Sequence, residues 1–333
     1  MLARYIIRRL LQFIPLLIAI SIIIFVIIQL PPGDYLSTYI VQMKNSGTDV
    51  DQSYIINLTR QYGLDQPAHI QYFYWITNIV TKLDFGRSFQ WQQPVSQILS
   101  ERLPATIGIA LLSLVVTWGL AIPIGIYSAT HQYSLGDYIF IFLGFIGLAV
   151  PGFLLALGAV YVIFVNTGVS LTGLFSPEYV NAAWSWAKFV NMLPRLGLVV
   201  GIIGLSQTAG LIRQMRAMLL DELQKQYVIT ARAKGLEEKK LLWKYPIRLA
   251  VNPMVSTIGW ILPGLISGEI VVSIVLSMPT MGPVVRRALI SQDMYLAGSF
   301  LLIVSVLTVF GTLLSDIALA VIDPRIRFGG VAE

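Results

Sequence analysis

Six runs of apolar residues, each long enough to cross a bilayer as a helix, constrain this chain more than any other feature. The first, Leu10–Leu30, has 21 residues. At a rise of roughly 1.5 Å per residue, a run of that length matches a hydrocarbon core about 30 Å thick. The others are Leu103–Tyr127, Ile139–Asn166, Leu193–Ile212, Ala250–Leu276 and Gly298–Ile322. Backbone N–H and C=O groups have no water to bind inside lipid, so each run is expected to be a helix that satisfies its own backbone. The expected fold is therefore an all-α polytopic membrane protein with six transmembrane helices. Composition agrees: 56% of the 333 residues are hydrophobic and 12% are charged, against about 25% charged in soluble domains.

The start of the chain is open to a second reading. Arg4, Arg8 and Arg9 followed by an apolar run also describe a secretory leader. The run is too long for a leader's apolar core, and no small-residue cleavage pattern follows it. It is read as a retained span whose start lies in the cytoplasm.

Charge sets the orientation. Arg213–Arg248 holds nine Lys or Arg, namely Arg213, Arg216, Lys225, Arg232, Lys234, Lys239, Lys240, Lys244 and Arg248. In a six-span arrangement these fall on the same side as Arg4, Arg8, Arg9, Arg325 and Arg327. The positive-inside rule makes that side, and both termini, cytoplasmic. The net charge of +6 is accounted for in this way. Without a basic stripe interleaved with aromatics, no nucleic-acid partner is expected.

The expected organisation is residues 1–30 as the N-terminal end and first helix, 31–102 as an external loop or cap, and 103–333 as a five-helix transmembrane core with a cytoplasmic loop at 213–248. The cap has nearly balanced charge. Asp65 and Pro67 mark the start of a helix carrying Tyr72, Trp75 and Ile79. Tyr72, Phe73, Tyr74, Trp75, Phe85, Phe89 and Trp91 form either an interfacial belt and the cap's own core, or a docking surface. Trp184 and Trp186, in a shorter external loop, invite the same two readings.

Several chemistries lack their residues. With no cysteine there is no disulfide, thiol catalysis or Cys-based metal site. The two histidines, His69 and His131, supply no His-rich metal site. HExxH, GxSxG and the GxxxxGK[ST] phosphate loop are all missing from the sequence. No catalytic residue, metal ligand or cofactor is expected in this chain, and it is not expected to be an enzyme.

The most informative stretch is Gln226-Tyr227-Val228-Ile229-Thr230-Ala231-Arg232-Ala233-Lys234-Gly235-Leu236, followed by Glu237–Arg248. Gly235 can adopt the left-handed conformation that closes a helix, and a second short helix follows it. Tyr227, Ala231 and Lys234 share one helix face. Small residues at Ala231 and Ala233 permit close approach by a partner. On physical grounds the element is either a basic loop at anionic headgroups or a docking element for a soluble motor.

Tyr227–Leu236 resembles the coupling motif in permeases of binding-protein-dependent ABC importers, especially their dipeptide/oligopeptide branch. Ile229 stands where the general motif has an acidic residue, and Tyr245-Pro246-Ile247-Arg248 replaces an Ile-x-Leu-Pro element. Both departures are common to the peptide branch. The resemblance extends to Arg4–Pro15, Pro32-Gly33-Asp34, Leu83–Phe89, Pro94-Val95, Glu101–Thr106, Gly268-Glu269 to Gly282, and Asp323–Arg327.

That resemblance implies the type I ABC importer permease architecture, a second homologous permease chain, two cytoplasmic ATPase subunits and an external solute-binding protein. It places the complex in a prokaryotic cytoplasmic (inner) membrane. Tyr227, Thr230, Ala231, Arg232, Ala233, Lys234, Gly235 and Leu236 would seat in an ATPase subunit, and ATP and Mg would belong to those partners. The implied substrate is an oligopeptide. Oligosaccharide uptake is the alternative, prompted by the variant turn Pro31-Pro32-Gly33-Asp34-Tyr35-Leu36.

Glu269 in the fifth span and Asp316 in the sixth are intramembrane carboxylates, which are costly in lipid. Glu269 is a candidate pathway or gate residue, with a hydrogen-bonded structural carboxylate as the alternative. Pro151 is a candidate hinge on the path, against a tolerated kink. Asp316, nearer the cytoplasmic end, is expected to be structural. Arg195 and Arg213 bracket the fourth span and are expected to snorkel to opposite interfaces. A proton-driven secondary transporter using Glu269 and Asp316 is the rival class. It predicts inverted repeats and broken helices, and it leaves Tyr227–Leu236 without a role.

Overall fold

The computed structural model describes residues 2–30, 59 and 65–322. The turn at 31–36 and the terminal Asp323–Arg327 lie outside the described residues. Twelve α-helices follow in order among those described: α1 Leu2–Gln29, α2 Ala68–Lys82, α3 Val95–Thr130, α4 Leu135–Ala149, α5 Gly152–Thr167, α6 Trp186–Leu223, α7 Gln226–Ala233, α8 Glu238–Lys244, α9 Pro246–Ser256, α10 Ile258–Val275, α11 Met281–Ile290 and α12 Met294–Ile322. The described residues contain no strand, only an isolated bridge between Arg87 and Pro94.

Four helices, α1, α3, α6 and α12, are each long and apolar enough to cross a membrane. Two further spans arise if bent pairs count as one each: α4 with α5, and the α8–α9 stretch with α10. The apolar runs at 10–30, 103–127, 193–212 and 298–322 thus each lie largely within one helix. The runs at 139–166 and 250–276 are each a bent pair of helices rather than one continuous helix, so the expected six spans are reached when each pair counts as one span. Between α4 and α5 the chain turns by 104°. Proline crowds its predecessor out of the α region, and Val150 accordingly sits at φ −98°, ψ 122°, ending α4 before Pro151 opens α5. The second pair bends by 60°. Pro253 and Pro263 lie inside α9 and α10, and each withholds a backbone donor from the carbonyl four residues earlier.

The chain divides into two compact units. The larger comprises residues 1–10, 105–279 and 308–333, and α6 is its hub, packing against α4, α5, α7, α9 and α10. Met215 and Leu219 of α6, Met254 of α9 and Leu265 of α10 are fully buried. Lipid is as apolar as leucine, so close van der Waals contact must hold such helices together. Gly147 of α4 meets that need: a Cβ there would lie 2.9 Å from Leu205 Cγ and 3.1 Å from the Leu205 carbonyl oxygen. A Cβ at Gly158, by contrast, would meet nothing within 4 Å.

The smaller unit comprises residues 11–104 and 280–307. Ile24 and Phe25 of α1, Trp75 and Ile79 of α2, and Leu302 of α12 form its core. Tyr72 shares a hydrogen bond with Ser21 at 2.8 Å. Helix α2 starts where Asp65 and Pro67 predict, with Pro67 as its N-cap. Trp75 and Phe89 are buried, whereas Phe73 and Tyr74 are exposed, so the aromatics divide between core and surface.

Candidate functional site

The 225–248 segment folds as two short helices joined by a tight turn. Helix α7 has one fully buried residue, Val228, and α8 has Leu241. Those anchors leave the rest of α7 outward: Thr230, Arg232, Ala233, Lys234 and Gly235 are exposed, while Ala231 and Leu236 are half-buried. Tyr227 and Ile229 are exposed at 36% and 47%.

The closing turn is a Schellman motif. Gly235 adopts φ +77°. Its N–H donates to the Arg232 carbonyl at 3.0 Å, and the Leu236 N–H donates to the Ala231 carbonyl at 3.3 Å. This pairing satisfies helix-end carbonyls that would otherwise lack donors. Arg232 then crosses to α8, with Nε donating to Glu238 Oε2 at 3.0 Å and Nη2 to Oε1 at 2.6 Å. The charge and hydrogen bonds of Glu238 hold the Arg232 guanidinium protonated more firmly than usual. Both partners are about half exposed, so this fork fixes geometry more than it adds stability. The Tyr227 hydroxyl donates to Glu222 at the end of α6. Burial, then that carboxylate, push the phenol's pKa up. The tyrosine therefore stays neutral and pins α7 to the last turn of α6.

A second junction lies at the start of α4. Ser134 caps the helix by accepting from the Asp137 N–H at 3.2 Å, and the Asp137 carboxylate accepts back from the Tyr133 N–H at 3.0 Å. The arrangement is a variant of the capping box, with Asp in the usual Glu place and its carboxylate bonded to the N–H of the residue before the N-cap. Asp137, nearly fully buried, also receives a two-pronged contact from Arg216 of α6, at 3.0 and 2.9 Å. In the sequence Arg216 reads only as a cytoplasmic-side charge, and Asp137 does not stand out. The signal available is Ser134-x-x-Asp137 ahead of an apolar run.

The other singled-out residues are distributed as follows. Glu269 is fully buried in α10, and Pro151 is exposed at the α4–α5 break. Asp316 pairs with Arg9 at 3.2 Å, joining α12 to the basic start of α1. Arg195 does not snorkel. It is 5% exposed, and Nη1 and Nη2 donate to the carbonyls of Asn191 and Ser170 at 3.1 and 3.2 Å. Neutral partners at short range outweigh its pull toward water. Arg213 is exposed and lies over the Phe145 ring.

In the smaller unit, Asp293 caps α12 by accepting from the Leu296 N–H at 3.3 Å and also accepts from the Gln90 N–H at 3.1 Å and from Ser88 Oγ. The loop carrying Leu83–Phe89 is thereby held to the start of α12. No group of three or more His, Cys, Asp or Glu among the described residues could hold a metal ion.

Comparison with known proteins decides the family. Residues 121–328 match the model of the binding-protein-dependent transport system inner membrane component, and residues 1–110 match the N-terminal model of such membrane components. The chain belongs to this family. It is a transport permease subunit and a multi-pass membrane protein. An oligopeptide transport system permease protein of Bacillus subtilis, AppB, is 36% identical over 327 residues, covering 98% of this chain and 100% of that one. A provisionally named peptide transport system permease protein of Brucella melitensis is 30% identical over 328 residues, covering 98% and 100%. The oligopeptide transport system permease protein OppB of Haemophilus influenzae is 27% identical over 326 residues, covering 98% and 99%.

Proposed function

We propose that this chain forms half of the translocation pathway of an ATP-driven oligopeptide importer in a prokaryotic cytoplasmic membrane. The other half is a second homologous permease. Two ATPase subunits engage the cytoplasmic side, and an external solute-binding protein delivers the peptide. The observation carrying this reading is the exposed, Schellman-closed α7 turn, Tyr227–Leu236, pinned to α6 by Tyr227 and to α8 by Arg232. A rigid protrusion on the hub helix is what a soluble motor needs in order to push on a bundle. ATP and Mg belong to the ATPase partners. Both termini and the 213–248 segment face the cytoplasm, where the positive-inside rule puts them.

The switch between inward- and outward-facing states is a rigid-body change. Pro151 serves it as a hinge, and Glu269 as a buried carboxylate of the gate rather than part of an open wall. Trp184 and Trp186, at 70% and 77% exposure, belong to the face that meets the binding protein. A peptide substrate is favoured over an oligosaccharide because the relatives named above are peptide permeases. The two bent helix pairs are compatible with a proton-driven transporter as well, but such a transporter gives α7 nothing to do.

Purification from the native host in mild detergent, with mass spectrometry of the accompanying chains, tests the assembly. A second permease, ATPases and a binding protein are expected. Peptides released from that binding protein fix the substrate class, whereas released sugars would move it to the alternative. A chain that purifies alone would overturn the importer reading.

A further inference from the structure

Several polar side chains within the spans of the larger unit show no hydrogen bond, Ser113, Trp118 and Asn252 among them, and one further set lies together around a cavity. Gln207, Gly210, Leu211 and Gln214 occupy positions i, i+3, i+4 and i+7 of α6, and so share one face. Opposite them, Thr257 and Ile261 at the α9–α10 bend complete the lining of an open cavity of about 280 Å³. That is ample room for ordered water.

Two features mark it as more than a packing gap. Neither glutamine carboxamide has a hydrogen-bond partner among the described residues, and both side chains are half-buried. The Gln207 amide nitrogen also lies where a Cβ at Gly264 would come within 3.3 Å of it, so glycine leaves room for that amide beside α10. Two unpartnered carboxamides facing hydrocarbon would be costly. This face must therefore meet water, substrate or another protein.

We propose that Gln207 and Gln214 line the translocation path and bind the main-chain amides of a passing peptide, a reading that rests on the permease function above. Each carboxamide offers an acceptor oxygen and a two-hydrogen donor, which complements the C=O and N–H of a peptide bond. The lining carries no charge, so it contacts the one chemistry all peptides share and ignores their side-chain charges. The bend at Thr257 opens the cavity, and the Thr257 hydroxyl already donates to the Met254 carbonyl at 2.7 Å. That leaves it an acceptor toward the path.

The native chain has no cysteine, so Gln214→Cys introduces a unique thiol. The assembled complex, with binding protein, is reconstituted in proteoliposomes. A membrane-impermeant maleimide is expected to label position 214, and a transported tripeptide is expected to slow that labelling. Gln207→Leu and Gln214→Leu are expected to cut peptide uptake about tenfold each, as for loss of one well-placed hydrogen bond, in complexes that still assemble with their ATPases and binding protein. Labelling unaffected by peptide, together with normal uptake by both leucine variants, overturns the proposal while parental ATP-driven uptake keeps the permease reading intact. Labelling open in the isolated chain but blocked in every state of the complex marks an interface with the second permease and overturns it too. Protection by an oligosaccharide and not by peptide overturns the peptide assignment. Absence of ATP-driven uptake in the parent complex fails the permease reading and this one with it.

Discussion

Asp137 and Arg216, 79 residues apart in sequence, meet in a two-pronged ion pair that ties the first turn of α4 to the last third of α6. Asp137 is 1% exposed and Arg216 is 20% exposed. Two turns after Arg216, α6 ends and α7 begins. The pair therefore lies on the part of α6 that leads into α7, and on the coupling role proposed for α7 it would carry a push there into α4.

Removing one partner should cost more than removing both. Arg216→Ala leaves a buried carboxylate without its cation, and such losses run to about 3–5 kcal/mol. Apolar replacement of both, as in Asp137→Leu with Arg216→Met, is expected to recover more than half of that loss. Thermal unfolding of the purified chain in detergent checks it. Equal loss from the single and double variants would mean that the pair contributes packing rather than charge compensation.

Gly235 offers a cleaner separation of strain from sterics. A Cβ there would meet nothing within 4 Å, so the only obstacle to alanine is the positive φ, worth about 1 kcal/mol. Gly235→Ala is expected to fold and couple with a modest deficit. Gly235→Pro is different, because the ring holds φ near about −65° and removes the N–H that closes the turn on Arg232. It is expected to insert normally but to lose peptide uptake at least about tenfold relative to ATP hydrolysis, because the deformed turn no longer fits the surface that drives it. A bulky residue at Ala231 should act in the same way through the docking face. The ratio of uptake to ATPase in proteoliposomes is the measurement, and unchanged ratios would remove α7 as the coupling element.

Asp293 gives the smaller unit a pH dependence. Burial raises its pKa above the ordinary 3.8, against the opposing effect of hydrogen bonds from Ser88 and from the N–H groups of Gln90, Leu296 and Phe89. The folded state thus binds the proton more tightly than the unfolded chain does. This contribution to stability is present below the ordinary value and is lost as pH rises through the raised folded value. Hydrogen exchange of the Gln90 and Trp91 amides should therefore quicken across that window. Asp293→Asn, which keeps one oxygen as the cap, should flatten the trend.

The apolar runs are legible in the sequence because their length is a direct response to bilayer thickness. The α7 turn is legible because Gly235 is a local signal read from a handful of neighbours. The breaks at 150–151 and near 257 do not follow from the same sequence, although Pro151 and Pro263 are plain in it. A proline in a span is compatible with a kink, a hinge or a full reversal of direction. Which of these occurs depends on the helices packed around it, here α6 for both partners of the α4–α5 pair. Asp137 and Asp293 escape sequence reading for a related reason. Each looks like an ordinary cap at a helix start, and each becomes a long-range tether only through a residue 79 or 205 positions away.

Arg195 is the residue whose placement reverses expectation, and it yields the last test. Lys188, Asn191 and Arg195 lie on successive turns of α6 and between them hold the 168–185 segment. Lys188 Nζ donates to the Ala182 carbonyl at 2.6 Å and stands 4.7 Å from the Phe175 ring centre. Asn191 exchanges hydrogen bonds with Ser176, and Arg195 reaches the Ser170 carbonyl. Arg195→Lys keeps the charge but not the planar fork, so it cannot serve Asn191 and Ser170 together. A buried cation with fewer partners costs on the order of 2 kcal/mol. The segment presenting Trp184 and Trp186 should then loosen while α6 itself stays intact. Limited proteolysis is expected to cut Arg195→Lys between 168 and 185 several-fold faster than the parent, with unfolding of the rest nearly unchanged. If cleavage there is unaffected, Asn191 and Lys188 hold the segment without Arg195, and the buried guanidinium must be retained for another purpose.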